Sequence, residues 1–386
     1  MLWKRHMRIP HARPDITAKD INAVAAVLKT PFLARGPKLA EFEEKIARYV
    51  GVRHGISVNS GTSALHLIVK AMGIGPGDMV ITTPLSFIAS SNCLLFEGAI
   101  PVFVDIDQKT AMIDSALVEE KAKKLRAAKK PLKAILAVDL FGSLAAWNDL
   151  RRIAKRYGLF LIEDSAQALG TYAMVRGKKH MAGTFGDAGI FAFFPNKQIT
   201  TGEGGMVVTD DAAIAKRVRM LRNYGREKGG YYHTILGYNF HLSDINCALG
   251  IAQLTRIEEI IAKRARIVEW YQQVFAGNND VLFYAAPPFV RVSWFSAIAI
   301  LADRFTETQR NAFLHTLAQK GIDCRNYYPP IHLQQSFRQF GYKKGDFPRA
   351  ESFAAQTIGL PLFSTMTHAQ VDYVCAALLN ILKVIR

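Results

Sequence analysis

The chain is poor in cysteine and has no long apolar run. Four cysteines, Cys93, Cys247, Cys324 and Cys375, are scattered through 386 residues. Their spacing matches neither a metal site nor a disulfide framework, so no metal is expected and the cytoplasm is the expected compartment. No apolar stretch reaches membrane-spanning length, and "WFSAIAILA" reads as a core strand. The N-terminus, "MLWKRHMRIP", is basic without the apolar segment of a secretion signal, and Met1 and Met7 both stay open as the natural start. Repeats and low-complexity linkers are missing too. Acidic residues are in the minority, with 32 Asp and Glu against 49 Lys and Arg, a formal net charge of +17. A chain so charged attracts nucleic acid, an anionic membrane or phosphorylated small molecules. The densest basic cluster, "KAKKLRAAKK" at 121–130, is interleaved with alanine and leucine as a solvated helix is. No aromatic platform or reading element accompanies it, so neither nucleic acid nor membrane is the expected partner.

What the chain does have is core. Half of its residues are apolar, enough for two domains of unequal size. Seven short runs read as strands: "GISVN" (55–59), "MVITT" (79–83), "IPVFVDI" (100–106), "KAILAVDLF" (133–141), "LFLIED" (159–164), "GIFAFF" (189–194) and "GMVVTD" (205–210). Several are apolar at successive positions, as strands buried on both faces must be. Helical patterns such as "TSALHLIVKAMG" and "LRRIAKRYG" lie between many of them and close on glycine. The expected class is α/β, a mainly parallel seven-stranded sheet in a large domain over 1–260 that includes the N-terminal segment. A helical pattern N-capped by Ser243 runs to about Phe275 and bridges to a smaller α+β domain over 261–386, which holds "VSWFSAIAILA" and ends in a helix near 367–385.

Ligands of such sheets sit beyond the carboxyl ends of the strands, and the unusual residues fall there. After "GISVN" comes "SGTSALHL", where the turn at Gly61, the backbone N–H groups and the hydroxyls of Thr62 and Ser63 suit a phosphate at a helix N-terminus, or simply cap a helix. Asp164 ends a strand that should be dry. It reads as the cap of a following helix or as the anion that keeps a heteroaromatic nitrogen protonated, with the Gln167 amide close by. Phe87, after "MVITT", is a cover for a flat ring or plain core. Lys197 follows an apolar strand and precedes "QITTGEGG". It is a solvent-facing lysine, or one held dry enough to lose its charge and act as a nucleophile beside glycines that admit a ligand. A phosphate cup, an aromatic lid, a carboxylate and a lysine together are what pyridoxal 5'-phosphate requires.

The ordered set "NSGTSALHL", "EDSAQALG", "FFPNKQITTGEGG" and "GYNFHLSD" resembles the nucleotide-sugar aminotransferases of the DegT/DnrJ/EryC1/StrS family. The resemblance runs from "FLARGPKLAEFE" to "YYPPIH" and "LPLF", nearly the whole chain. It implies the pyridoxal-phosphate fold type I of aspartate aminotransferase and a homodimer with shared active sites. It implies Lys197 as the Schiff-base lysine, Asp164 at the pyridine nitrogen, Gln167 at the phenolic oxygen and Phe87 stacked on the ring. Thr62 and Ser63 would hold phosphate, and Asn239 would reach the phosphate from the partner subunit. The implied reaction carries an amino group, by family analogy from L-glutamate, to a nucleotide-linked keto sugar, with a 4-keto-6-deoxy hexose favoured. Amino sugars for surface polysaccharide or secondary metabolites would be the products. Two departures stand out: Ala192 replaces a serine that touches phosphate in many relatives, and His241 replaces a frequent arginine. His332, in "PPIH", matches a recurrent family position and faces either substrate or the loop interior. A sugar dehydratase of the same fold carries histidine where Lys197 stands, which argues against that alternative. Lys197 and Asp164 also argue against a cofactor-binding regulator without turnover.

Overall fold

The computed structural model describes residues 8–227, 230–287 and 289–384. All seven expected strands form and join one sheet. Across that sheet they run His54–Val58, Gly205–Thr209, Ala188–Ala192, Phe160–Asp164, Leu132–Val138, Met79–Thr82, Ile100–Phe103. Only Gly205–Thr209 is antiparallel to its neighbours; the other six share one direction. Helices cover both faces, so nearly every strand residue is buried, which is why the runs are apolar without alternation. The helices Gly61–Ala71 and Trp147–Tyr157 close as expected, with Gly73 (φ 69°) and Gly158 (φ 59°) in the left-handed region.

The register sets the site. Val58 and Ala192 both lie opposite Gly205, and Asp164 lies opposite Val138 and Ile190. The carboxyl ends of the parallel strands therefore finish along one edge. Gly205, the first residue of the antiparallel strand, starts at that same edge.

A second core gathers around a three-stranded antiparallel sheet of Val281–Phe283, Ala297–Leu301 and Thr357–Leu360, packed with the helices Glu307–Gln319 and His368–Val384. The strand within "VSWFSAIAILA" is thus only its last part. A third sheet joins the hairpin Tyr172–Val175 and Lys178–Met181 to Val290–Arg291.

The helical pattern from Ser243 is two helices, not one. Ser243 does cap the first, Asp244–Leu254, accepting from Asn246 N at 3.2 Å. The second, Ile257–Phe275, begins after Arg256, whose φ of −115° and ψ of 9° leave the helix. The Arg256 guanidinium turns to ion pairs with Asp15 (3.5 Å) and the buried Asp20 (3.2 Å), an attachment that a continuous helix pattern does not reveal. Ile257, Ile260 and Ile261 of the second helix pack in the large core, and Ile267, Val268, Tyr271 and Phe275 in the smaller one.

Candidate active site

A cavity of about 750 Å³ opens at the carboxyl edge of the large sheet. Gly61, Thr62, Phe87, Asp164, Gln167 and Lys197 all line it, although they come from four separate stretches of sequence.

The helix Gly61–Ala71 points its N-terminus at the cavity. Ser60 caps it, accepting from Ser63 N at 3.1 Å, and the Ser60 and Ser63 hydroxyls lie 2.9 Å apart. The cap uses the N–H of Ser63, while those of Gly61 and Thr62 precede the first intrahelical bond and stay available. Of the two hydroxyl residues, Thr62 lines the cavity, and Ser63 is buried behind Ser60. The helix start sits directly on Ala192: a Cβ on Gly61 would come 2.7 Å from the Cβ of Ala192. Glycine at 61 and a small residue at 192 together let the helix end approach the sheet edge.

Asp164 is followed by a turn and then the strand Tyr172–Val175, so the helix-cap reading of this residue is excluded. Its carboxylate accepts from Ser90 Oγ at 2.5 Å and from Ala166 N at 3.1 Å. Burial raises its pKa; the bonds from Ser90 and Ala166 and the charge of Lys197 oppose that rise. Gln167 is buried. Its Oε1 accepts from Phe141 N at 2.9 Å, and its Nε2 donates to the Tyr328 hydroxyl at 3.1 Å.

Lys197 stands just past the strand Ala188–Ala192, its N–H donating to Phe194 O at 2.9 Å. Its Nζ lies 4.3 Å from the centre of the Phe295 ring. Burial pushes its pKa down to about 8, against the pull of Asp164 and helped by the charge of Arg264. The bland reading of a solvated surface lysine does not describe it. Phe87 is 56% exposed at the cavity, its ring 6.4 Å from that of Tyr328, so it is not plain core.

The remaining candidates lie elsewhere. Asn239 is exposed and does not line this cavity. His241 bonds through Nε2 with Asn223 Oδ1 at 3.1 Å, and burial together with Arg222, Arg35 and Arg226 pushes its pKa down to about 4. His332 is fully buried, bonded to Glu351 Oε1 at 3.1 Å and edge-on to Phe347, away from the cavity. Ser60, Ser90, His11, Phe295, Arg325 and Tyr328 line the cavity without having been singled out in the sequence. Ser90 carried a signal, a hydroxyl in the segment after Phe87, but nothing local tied it to Asp164.

The DegT/DnrJ/EryC1/StrS aminotransferase family matches residues 14–379. The chain belongs to this family. It is therefore an aminotransferase dependent on pyridoxal 5'-phosphate, as its motifs implied. It is 37% identical over 380 residues to the GDP-perosamine synthase of Caulobacter vibrioides, covering 97% of this chain and 98% of that one. Its fold matches Helicobacter pylori PseC, an aminotransferase in pseudoaminic acid biosynthesis, with a TM-score of 0.90 and 28% identity over 98% of this chain and all of that one. The pyridoxal-phosphate form of the putative sugar aminotransferase Spr1654 from Streptococcus pneumoniae also matches at 0.90, with 27% identity over 98% and 100% of the two chains.

The residues present fit that cofactor. The helix N-terminus at Gly61 and Thr62, which lines the cavity with N–H groups not used by the cap, suits a phosphate. Asp164 is a buried carboxylate held by neutral donors, an environment that a protonated ring nitrogen would balance. Lys197 offers an amine with a lowered pKa. Among the described residues no helix is long and apolar enough to cross a membrane.

Proposed function

We propose that this aminotransferase carries an amino group from an amino-acid donor, L-glutamate favoured, to a keto sugar linked to a nucleotide diphosphate. The observation that carries the reading is the convergence of Lys197 and Asp164 on one cavity that also receives the N-terminus of the helix Gly61–Ala71. The sugar class is supported by the resemblance to the GDP-perosamine synthase and by a net charge of +17, which draws a diphosphate. The free cysteines support a cytoplasmic setting.

The cofactor, when bound, supplies an electron sink for charge developing on the donor's α-carbon. The chain's own residues do the rest. Gly61 and Thr62 would hold the phosphate through N–H groups and the Thr62 hydroxyl. Phe87 would cover one face of the ring, and Gln167 would present its amide at the phenolic edge. Asp164, as an anion fixed by Ser90, would keep the proton on the ring nitrogen. Lys197, neutral for an appreciable part of the time near pH 8, takes the proton from the donor α-carbon and later releases it.

Asn239, exposed and outside the cavity, is proposed to reach the phosphate seat of a partner subunit in a homodimer. Lys197→Ala and Asn239→Ala proteins, each inactive, should then recover part of the activity when their subunits are exchanged, because one site of the mixed dimer escapes both lesions. No recovery after verified exchange contradicts the shared site.

The substrate assignment is tested on protein loaded with the amino form of the cofactor. A nucleotide-linked 4-keto-6-deoxy hexose, a nucleotide-linked 3-keto sugar, the free keto sugar and pyruvate are compared as acceptors. A nucleotide-linked sugar is expected to react with the highest efficiency, because remote binding energy positions the reacting carbonyl. Pyruvate as the best acceptor would overturn the sugar reading and leave the aminotransferase class intact.

A further inference from the structure

The cavity is short of positive charge for the substrates it is proposed to take. Its lining carries three carboxylates, Asp164, Glu203 and Asp323, against two cationic side chains, Lys197 and Arg325. His11 lines the same space, but burial pushes its pKa down to about 4 and its ring is neutral at pH 7. Lys197 is committed to the cofactor. Among the described lining residues, Arg325 is the cation left to meet an anionic group of a substrate.

Its setting suits that task. The backbone of Arg325 is clamped to Gly359 in both directions, N to O at 2.9 Å and O from N at 2.7 Å. The N-terminal segment braces the same stretch, with Ile9 N donating to Gly321 O at 2.8 Å and Asp323 N to Ile9 O at 3.0 Å. The side chain, by contrast, is held lightly. Its Nη2 pairs with Asp323 Oδ2 at 2.8 Å, and the two side chains are 56% and 41% exposed. An exposed pair of this kind is weak, and it leaves most of the five guanidinium N–H donors unused. The other arginine near the site, Arg264, is spent: its Nε donates to Trp294 O at 2.6 Å and its Nη2 to Phe295 O at 2.8 Å, both in the interior. Arg325 also shares the cavity with the reacting amine. The Phe295 ring that faces Lys197 Nζ is stacked on Tyr327 at 6.0 Å, two residues beyond Arg325.

We infer that Arg325 anchors a carboxylate of the amino donor, and that Asp323 holds the guanidinium until that carboxylate replaces it. This rests on the proposed function and names the donor site within it. A planar fork pairs with a carboxylate through two parallel bonds. The position favours the donor over the diphosphate of the acceptor. A donor carboxylate is joined to the reacting carbon itself, whereas the diphosphate is separated from the reacting carbonyl by a sugar ring.

The two half-reactions separate these roles. Holoenzyme is mixed with L-glutamate and the loss of cofactor absorption is followed. The acceptor half-reaction is then followed with the nucleotide-linked keto sugar that wild type accepts best. Arg325→Gln is expected to raise the glutamate concentration for half-maximal rate about ten- to a hundredfold, the loss of a charge-assisted bond, and to change the acceptor half-reaction less than about twofold. Asp323→Asn frees the guanidinium and is expected to act in the opposite direction, lowering that concentration. An unchanged glutamate dependence in Arg325→Gln overturns the inference, and an effect confined to the acceptor assigns Arg325 to the nucleotide instead. If both variants slow both half-reactions and melt earlier, Arg325 and Asp323 are structural and the inference fails. Wild-type protein that no amino acid reduces would defeat the proposed function itself, a result distinct from all of these.

Discussion

The hydroxyl of Ser90 donates to Asp164 Oδ2 at 2.5 Å, inside a cavity that both residues line. The bond joins the segment after one strand, Met79–Thr82, to the end of another, Phe160–Asp164, across the intervening Leu132–Val138. It gives a buried carboxylate the donor it needs to stay ionised, since burial raises the Asp164 pKa and the Ser90 bond lowers it.

Ser90→Ala removes that donor, and the Asp164 pKa rises. Activity that needs the Asp164 anion is then lost at a higher pH on the acid side. A bond to a charged group is worth about 1.5–3 kcal/mol, so the acid limb of kcat/KM should move up by roughly one to two units. Ser90→Thr, which keeps a hydroxyl, should move it little. A purely structural Ser90 would lower the melting temperature of Ser90→Ala and leave the limb in place.

Lys197 should combine with the cofactor aldehyde as its neutral amine. Burial lowers its pKa to about 8, so protons leave it well below the ordinary lysine range. Reconstitution of cofactor-free protein should therefore speed up as pH rises and level off above about 8. A rate still climbing between pH 9 and 10 would mean that the amine is not held dry.

The loop that carries Asn239 is tethered by a charge cluster. Tyr238 stacks on Phe240 at 4.7 Å, and its hydroxyl lies 3.2 Å from Glu97 Oε1; Glu97 also meets Lys70 Nζ at 2.8 Å and His66 Nε2 at 2.6 Å. Burial would raise the Glu97 pKa, but the bonds from Lys70 and His66 outweigh it and hold the carboxyl low. A carboxylate with a depressed folded pKa contributes stability above its unfolded pKa and loses it as pH falls through the folded value. Glu97→Gln should destabilise the protein by about 1–2 kcal/mol at pH 7, and the gap to wild type should close as pH falls below about 4. Urea melts at pH 7 and pH 3.5 measure both differences; a gap that does not shrink in acid would contradict this ionic role.

The large sheet was legible because its strands are buried on both faces, and burial on both faces writes an unbroken apolar run. The hairpin Tyr172–Met181 was not. Met174 and Lys179, paired across it, are exposed, so no such run appears. Its turn is Arg176–Gly177, with φ of 49° and 76°, and arginine gives no sign of a left-handed position. The break at Arg256 was hidden for a similar reason, since its partners Asp15 and Asp20 are more than two hundred residues away. In the site, Lys197, Asp164 and Gly61 announced themselves through their neighbours in sequence. Ser90 and Arg325 did not, because what marks them is a contact made only after folding: Asp164 for one, and the clamp on Gly359 for the other.

The proposed reaction turns on one lysine among many. Purified protein loaded with pyridoxal 5'-phosphate should be yellow, and borohydride should fix the cofactor to the chain. Digestion and mass mapping should place the adduct on the peptide that carries Lys197, and Lys197→Ala should show neither adduct nor turnover while still folding. An adduct on a different lysine, or full turnover in Lys197→Ala, would contradict the assignment on which the proposed mechanism rests.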